Sequence, residues 1–262
     1  MRNNRLLGSI RIQGIVIGAL MMRELHTRFG RENLGYLWII GEPILFCAGV
    51  TIAWTAMRPA HEHGLPMTAM VLTGYIPLTM WRHALMVSAK AFQANGSLLF
   101  HRQVTPLDII TARVLLEILG TLASGIVVYL FSYMLGYVEM PKIWSLIYMG
   151  LLCHAMFSMA TGFLFSALSE LSEFVEKGLS IFTYLSLPLT GAFAMVSWLP
   201  HKLQRIVYWS PSSQSMEMIR GGQFGWNSHP MFSFYYAFGI NFLLILIGLF
   251  LLSGIRKHID VN

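Results

Sequence analysis

The segment from residue 22 to residue 43 reads MRELHTRFGRENLGYLWIIGEP, and its character changes halfway along. The first half carries three arginines, and an apolar segment begins at Leu34. Basic residues collect on the cytoplasmic side of membrane helices, and tryptophan, here Trp38, collects at the membrane boundary. The segment therefore predicts an integral membrane protein with a cytoplasmic N-terminus and a basic surface segment that leads into the first span.

The composition of the whole chain agrees with a lipid environment. Hydrophobic residues make up 55% of the 262 residues and charged residues only 11%, whereas soluble domains carry about 25% charged residues. A span needs about 20 apolar residues, so the length allows about six spans and leaves no room for a separate soluble catalytic domain. The net charge of +6 is ordinary for a membrane protein and does not indicate a nucleic-acid partner.

Six apolar segments alternate with polar or proline-containing loops. They predict an all-α membrane protein with six transmembrane helices, divided into an N-terminal segment, 1–33, and a six-span domain, 34–262. The predicted spans, in chain order, are Leu34–Met57, Leu65–Phe92, Asp108–Tyr137, Ile143–Leu168, Leu179–Trp198 and Met231–Gly254.

The N-terminal segment is predicted to form an amphipathic interfacial helix over residues 9–31. Ile12, Ile15 and Leu20 share a face at helical spacing, and arginines are available to the other side. A basic amphipathic helix of this kind lies in the headgroup plane of a membrane. Whether it serves only as a positive anchor or also contacts a partner is left open by the pattern.

The two sets of loops differ in positive charge. Ten lysines and arginines lie in the segments on the side of the termini, which are 1–33, 93–107, 169–178 and 255–262. Five lie in the opposite loops, which are 58–64, 138–142 and 199–230. The positive-inside rule therefore places both termini in the cytoplasm.

The charged residues Glu42, Arg82, Arg113 and Glu117 fall within the predicted spans. A charge at mid-bilayer costs about 2.5–3.5 kcal/mol on insertion scales, so each should face protein or water and have a partner. Arg113 and Glu117 are four residues apart and can pair on one helix. Such pairs either hold helices together or, for Arg82, help to line a path for an anionic substrate.

Motifs for chemistry are absent from the sequence. It contains no G-x-x-x-x-G-K-[ST], H-E-x-x-H, C-x-x-C or G-x-S-x-G, so the chain is not expected to hold ATP phosphates or to carry out catalysis. The loop cluster His61-Glu62-His63 has too few ligands for a metal site. We therefore expect no catalytic residues, no metal and no cofactor on this chain.

Three stretches resemble the membrane subunits of type-2 ABC exporters, and in particular the capsule-polysaccharide exporter permeases of Gram-negative bacteria. The first contains Arg28-Phe29-Gly30-Arg31, Leu34-Gly35-Tyr36-Leu37-Trp38 and Glu42-Pro43. The second and third are Asn95–Glu117 and Ser210–Gly225, and the resemblance covers nearly the whole chain in the same order.

The resemblance implies a homodimer of six-span subunits in the inner membrane, with two separate ATPase subunits that bind ATP and Mg on the cytoplasmic face. The implied substrate is a lipid-anchored capsular polysaccharide. A periplasmic adaptor and an outer-membrane channel are implied as further partners. The region 199–230 would be a re-entrant helical region on the periplasmic side, before the last span.

The resemblance also suggests site residues. In the family a short helix in the first cytoplasmic loop, here 93–107, fits a cleft on the ATPase, and an apolar anchor with a polar rim suits such docking. The expected ATPase contacts are Asn95, Gly96, Ser97, Leu98, Leu99, Phe100, His101 and Arg102, together with Arg28, Phe29 and Arg31. Residues expected along the substrate path, mostly aromatic rings that can stack on sugars, are Trp38, Glu42, Tyr75, Trp81, Arg82 and Tyr129.

Other functions fit the same pattern. The same fold exports O-antigen, teichoic acid or small hydrophobic molecules. A membrane enzyme that acts on lipid-linked sugars would need clustered acidic residues, for which Glu42, Asp108 and Glu117 are available. A purely structural scaffold of an export complex is a third possibility, which the charges inside the spans make less attractive.

Overall fold

The computed structural model describes residues 2–29, 35–57, 61–99 and 104–259. In this part of the chain, helices dominate and one short hairpin pairs β1 (His61–Glu62) with β2 (Leu65–Pro66). The helices are α1 (Arg2–Phe29), α2 (Gly35–Met57), α3 (Met67–Ala89), α4 (Ala91–Leu99), α5 (Pro106–Met134), α6 (Trp144–Leu171), α7 (Glu173–Leu185), α8 (His201–Tyr208), α9 (Pro211–Phe224) and α10 (Phe234–Ile259).

The predicted helical class is confirmed. Among the residues that the structure describes, three helical segments are long and apolar enough to cross a membrane, namely Pro106–Met134, Trp144–Leu171 and Phe234–Ile255. They coincide with the third, fourth and last predicted spans. Helices α2 and α3 occupy the first two, and α2 contains a shorter apolar helix over Ile44–Trp54. The count of six spans stays a prediction.

The fifth predicted span is not one continuous helix. Helix α7 ends at Leu185, and the chain continues through two short 3₁₀ turns, Leu187–Leu189 and Val196–Trp198. Pro188 is the second residue of the first turn, and Gly191 follows with a φ of +78°. Proline cannot donate a backbone hydrogen bond, and glycine readily adopts a positive φ, so the helix does not continue across this stretch.

The start of α5 is determined by local chemistry. The Thr105 hydroxyl accepts a hydrogen bond from the Asp108 backbone N–H, and the Asp108 carboxylate accepts one from the Thr105 N–H at 3.0 Å. This reciprocal arrangement is a capping box, and Pro106 occupies the first helical position, where its missing donor costs nothing. The helix therefore begins at Pro106, two residues before the predicted span.

Helix α6 lies at the centre of the molecule and contacts α3, α9 and α10. Glycines allow two of these close approaches. A Cβ at Gly150 of α6 would lie 2.9 Å from the carbonyl oxygen of Ser215 in α9, and one at Gly248 of α10 would lie 3.1 Å from the Leu164 nitrogen in α6. Small residues at helix crossings let the backbones of membrane helices pack closely.

The N-terminal helix extends over Arg2–Phe29 and so begins before the predicted stretch. Ile12 and Ile15 on its predicted apolar face are 64% and 63% exposed, whereas Leu20 packs against the core formed by α3, α5, α6 and α10. Exposed isoleucines are what an interfacial helix presents to lipid. The predicted face is therefore divided between the surface and the protein interior.

Helix α9 is buried along almost its whole length although it is polar. Its Glu217 carboxylate accepts hydrogen bonds from the backbone N–H groups of Val196 and Met231, each at 2.9 Å. Its Arg220 guanidinium donates to the carbonyl oxygens of Gly191 and Ala192, each at 2.6 Å, and to that of Ala194 at 2.8 Å. The two side chains therefore attach the irregular segment after α7, and the segment before α10, to α9.

Candidate functional site

A buried ion pair joins the N-terminal helix to the third predicted span. One carboxylate oxygen of Glu24 in α1 accepts hydrogen bonds from Arg113 Nη2 at 2.6 Å and from Arg113 Nε at 2.8 Å. Glu24 is 4% exposed and Arg113 is 8% exposed. Two charges enclosed in this way are stable only when paired and hydrogen-bonded, so the pair ties α1 to α5.

The same arginine also caps the C-terminal end of α3. Its Nη1 donates to the carbonyl oxygens of Val87 at 3.3 Å and Lys90 at 3.2 Å. The last carbonyls of a helix lack partners within the helix and attract positive charge. Arg113 therefore connects three elements, α1, α3 and α5, at one end of the bundle.

This arrangement replaces the pairing that the sequence suggested. Arg113 and Glu117 are close enough in sequence to pair on one helix, yet Arg113 contacts Glu24, and Glu117 Oε2 lies 3.9 Å from His83 Nδ1. The expectation of a pair within α5 is wrong, because α1 packs across the start of α5 and its Glu24 carboxylate accepts the hydrogen bonds of Arg113.

Two further contacts attach α1 to the loop 93–107 between the second and third predicted spans. The Gln13 side chain donates to Asp108, the carboxylate of the α5 capping box, at 3.0 Å. Arg23 donates to the side-chain oxygen of Asn95 in α4. Asn95 is 2% exposed and lies at a kink, with a φ of −131°, where its amide donates to the Ala91 carbonyl at 3.0 Å. Helix α1 is therefore attached to both ends of this loop.

The residues expected to contact an ATPase are only partly covered by the structure. Asn95 is buried and Gly96 is exposed. Ser97, Leu98 and Leu99 form the last residues of α4, and Arg28 and Phe29 end α1, but their side chains lie outside the description. Phe100, His101, Arg102 and Arg31 lie outside the described residues altogether. Their role stays a prediction.

Among the residues expected along the substrate path, Trp81 and Tyr129 have partners inside the protein. Trp81 is 3% exposed and stacks on Phe157 with ring centroids 5.8 Å apart, so it belongs to the core. The Tyr129 hydroxyl donates to the Glu139 carbonyl at 2.7 Å and contacts the Gln223 side chain at 2.8 Å. Trp38 and Glu42 lie in α2, and their side chains are outside the description.

Tyr75 and Arg82, in contrast, lie together on α3. Tyr75 lines a small cavity with Trp54 and Phe193, whose rings stack at 5.4 Å. The Arg82 guanidinium lies over the ring of Tyr184 in α7, 4.5 Å from its centroid. These residues make up the part of the predicted path that the fold brings to one helix face.

The buried polar side chains of α9 were not predicted as a functional feature. Glu217, Arg220 and the fully buried His154 of α6 connect α9 to the segments around it, and His154 Nε2 donates to the Pro77 carbonyl of α3 at 2.8 Å. Burial raises the pKa of Glu217 because it disfavours the carboxylate, and Arg220 opposes the shift. The sequence signal was the acid–base pair at i, i+3 in a polar stretch between apolar segments.

No group of three or more His, Cys, Asp or Glu side chains within the described ranges is placed to hold a metal ion. His63 of the hairpin turn stacks on Trp198 instead, with centroids 4.6 Å apart. The expected lack of a metal or cofactor on this chain stays a prediction.

The long apolar helices, joined by buried polar contacts, define an integral membrane protein of helical type. The chain belongs to the ABC-2 type transporter family, whose family model matches residues 16–224. The family expected from the three sequence stretches is therefore confirmed, and with it the assignment as a transporter permease subunit.

The similarity to individual proteins extends along almost the whole chain. The chain is 35% identical over 252 residues to the capsule polysaccharide export inner-membrane protein CtrC of Neisseria meningitidis serogroup B, covering 96% of this chain and 95% of that protein. It is also 35% identical over 252 residues to the capsule polysaccharide export inner-membrane protein BexB of Haemophilus influenzae, with the same coverage. The polysialic acid transport protein KpsM of Escherichia coli is 28% identical over 219 residues, 80% of this chain and 81% of KpsM.

Proposed function

We propose that this chain is the transmembrane subunit of an ATP-driven exporter that moves lipid-anchored capsular polysaccharide across the inner membrane. The observation that carries the proposal is the 35% identity, over 96% of the chain, to CtrC, a protein of capsule polysaccharide export. The helical membrane fold, with its cluster of contacts between α1 and the loop 93–107, is consistent with this function.

The proposed architecture has six spans and both termini in the cytoplasm. The first four spans are α2, α3, α5 and α6. Helix α7 with the irregular segment after it supplies the fifth span, and α10 supplies the sixth. Helices α8 and α9 form the re-entrant region on the periplasmic side. Non-helical backbone at membrane depth is tolerated only where protein satisfies its polar groups, and Arg220 and Glu217 do so for the segment that follows α7.

The proposed partners are a second copy of the chain and two ATPase subunits that bind ATP and Mg. The ATPase contact is the end of α4 with the residues that follow it, together with the end of α1. The contacts of Gln13 and Arg23 hold α1 against this loop, so movement of a docked ATPase would reach α3 and α5 through Arg113. The region 199–230 is available to a periplasmic adaptor connected to an outer-membrane channel.

A second cargo is supported by a specific similarity. The chain is 26% identical over 201 residues, 72% of its length, to the O-antigen export system permease protein RfbA of Klebsiella pneumoniae. This identity is lower and covers less of the chain than the similarity to CtrC. Capsular polysaccharide is therefore the favoured substrate.

The experiment that tests the function is gentle detergent extraction from native membranes, followed by identification of the proteins that co-purify. We expect a stoichiometric ATPase subunit. Leu99→Asp places a charge in the apolar part of the docking loop, so it should abolish co-purification and uncouple ATP hydrolysis from export while the chain still inserts into the membrane.

Met140→Asp is the matched control, since Met140 is 46% exposed in the turn between α5 and α6, at the opposite end of α5 from the docking loop. It should leave the complex intact. Export that proceeds normally with Leu99→Asp would rule out the docking site. A chain that purifies alone at every detergent strength would instead favour a membrane enzyme.

A further inference from the structure

Arg82 differs from the other arginines that the helices enclose. Arg113 has the Glu24 carboxylate and two carbonyl oxygens as partners. Arg220 has three carbonyl oxygens and the nearby Glu217. Arg82 has neither kind of partner among the described residues, where its one assigned contact is the Tyr184 ring. Its Nε is buried and makes no hydrogen bond there.

The surroundings of Arg82 form a stripe along α3. Tyr75, Arg82 and Met86 follow one another at intervals of seven and four residues, which places them on one side of α3. Lys90, the residue after the helix, follows after four more. The first three are half-buried and Lys90 is exposed, whereas Leu78, Trp81 and Leu85 on the adjoining side are buried against α6 and α9.

The edge of this stripe is aromatic. Tyr184 is 60% exposed, so the guanidinium covers only part of its ring. Tyr75 lies two helical turns from Arg82 and borders the cavity of Trp54 and Phe193. The stripe therefore combines two positive charges with rings whose faces can stack on sugars.

In the proposed topology α3 is a span, and Arg82 lies ten residues before Phe92, the predicted end of that span, which is about 15 Å at 1.5 Å per residue. A guanidinium inside a span is costly unless water or an anion solvates it, and an ionisable residue there marks a substrate path more often than a lipid contact. Arginine binds carboxylates and phosphates through two parallel hydrogen bonds. We infer that Arg82, with Tyr75 and Tyr184 beside it, binds a carboxylate or phosphate group of the exported polymer during its passage. This inference rests on the proposed export function and assigns the charged group of the substrate to a place in the path.

The test places a reporter cysteine beside the site. Met86→Cys lies one turn from Arg82, and Cys47 and Cys153, the two native cysteines, are replaced by alanine. The complex is treated in leaky membranes with a water-soluble, positively charged methanethiosulfonate reagent. The rate of labelling is measured without a probe and then with each of three probes. These are oligosialic acid, which carries carboxylates, decyl phosphate, and neutral dextran. Phe242→Cys, at a position on α10 that is 57% exposed, is the control for a lipid-facing residue.

We expect Met86→Cys to react and Phe242→Cys to remain unlabelled. An acidic probe should slow the reaction by about threefold, the effect of a partly exposed charge pair, and dextran should not. Protection should vanish in Arg82→Gln, persist in Arg82→Lys, and weaken at about 0.5 M salt because salt screens the attraction. The probe that protects identifies the group as a sugar carboxylate or a phosphate.

Three results would overturn the inference: a Met86→Cys reaction as slow as that of Phe242→Cys, equal protection by dextran, or protection that does not depend on charge at position 82. If Arg82→Gln fails to accumulate, the effect of salt on protection by the acidic probe, measured with Arg82 in place, decides whether the inference holds. Co-purification of the ATPase is measured in the same samples, so failure of the binding site is distinguishable from failure of the export function.

Discussion

At the residue scale, the buried charges of this chain find partners that are far away in sequence. Glu24 and Arg113 are 89 positions apart, and Gln13 and Asp108 are 95 apart. The Glu24–Arg113 contact encloses two charges where water is scarce, so each of them depends on its partner. The attachment of α1 to the bundle therefore depends on a small number of side chains.

Glu24→Ala leaves the Arg113 guanidinium buried without its carboxylate. Removing one partner of a buried pair costs about 3–5 kcal/mol, so we expect α1 to loosen from α3 and α5. The measurement is the rate of limited proteolysis within residues 2–29 in the purified protein, together with its thermal midpoint. Proteolysis should be faster and the thermal midpoint lower than in the unaltered protein.

Glu173→Ala is the matched control. Glu173 pairs with Lys177 at 2.9 Å, but both side chains are largely exposed, and exposed pairs contribute about 0–1 kcal/mol. Its removal should leave proteolysis of α1 unchanged. If both variants behaved alike, the Glu24–Arg113 pair would have no special part in holding α1.

At the element scale, the irregular segment after α7 is held between α3 and α9. Gly74 of α3 lies directly under the carbonyl oxygen of Ala192, which in turn accepts a hydrogen bond from Arg220. The helix that the sequence predicts up to Trp198 is thus replaced by a segment whose backbone bonds to side chains of α9. Close packing at one glycine and hydrogen bonds from one arginine determine the course of the chain here.

Gly74→Ala should displace this segment. The added Cβ would overlap the Ala192 carbonyl oxygen, a backbone atom that cannot move without breaking its bond to Arg220. Overpacking of this kind costs about 1–3 kcal/mol. We expect a lower thermal midpoint, measured on the purified protein by tryptophan fluorescence.

Gly14→Ala provides the comparison within another helix. Nothing lies within 4 Å of a Cβ at Gly14, so alanine should be neutral or stabilise α1 by up to about 1 kcal/mol through its helix propensity. A Gly74→Ala protein as stable as Gly14→Ala would mean that the contact with Ala192 is not tight.

At the scale of the whole molecule, α6 determines which loops lie on opposite sides. Its 28 residues extend over about 42 Å at 1.5 Å per residue, enough to cross a bilayer. The turn before it contains Met140, and its last turn contains Glu170, and both residues are exposed. These two positions must lie on opposite faces if the proposed topology holds.

Single cysteines at Met140 and Glu170 should react with membrane-impermeant reagents from opposite sides. In intact cells we expect Met140→Cys to be labelled from the periplasm and Glu170→Cys only after the membrane is opened, because the positive charge of the termini places the α6 end in the cytoplasm. Labelling of both positions from the same side would contradict the spanning assignment of α6.

Several features could be predicted from the sequence because they depend on neighbouring residues. The third, fourth and last apolar segments coincide with long helices, and the threonine–proline–leucine–aspartate run at 105–108 contains the capping residues that begin α5. Family membership was visible in the same way, from short runs such as Leu34-Gly35-Tyr36-Leu37-Trp38. Hydropathy and helix caps are decided within a few positions along the chain.

Other features were decided only by the tertiary structure. Sequence spacing paired Arg113 with Glu117, but the packing of α1 across α5 brought Glu24 closer. Apolar composition extended the fifth helix to Trp198, whereas Arg220 bonds to the backbone at residues 191–194 and stabilises an irregular course. Which groups meet depends on how helices cross, and a pattern read along one helix does not contain that information. The sequence by itself therefore determined the membrane class, the main helices and the family, and the tertiary structure determined the partners of the buried charges.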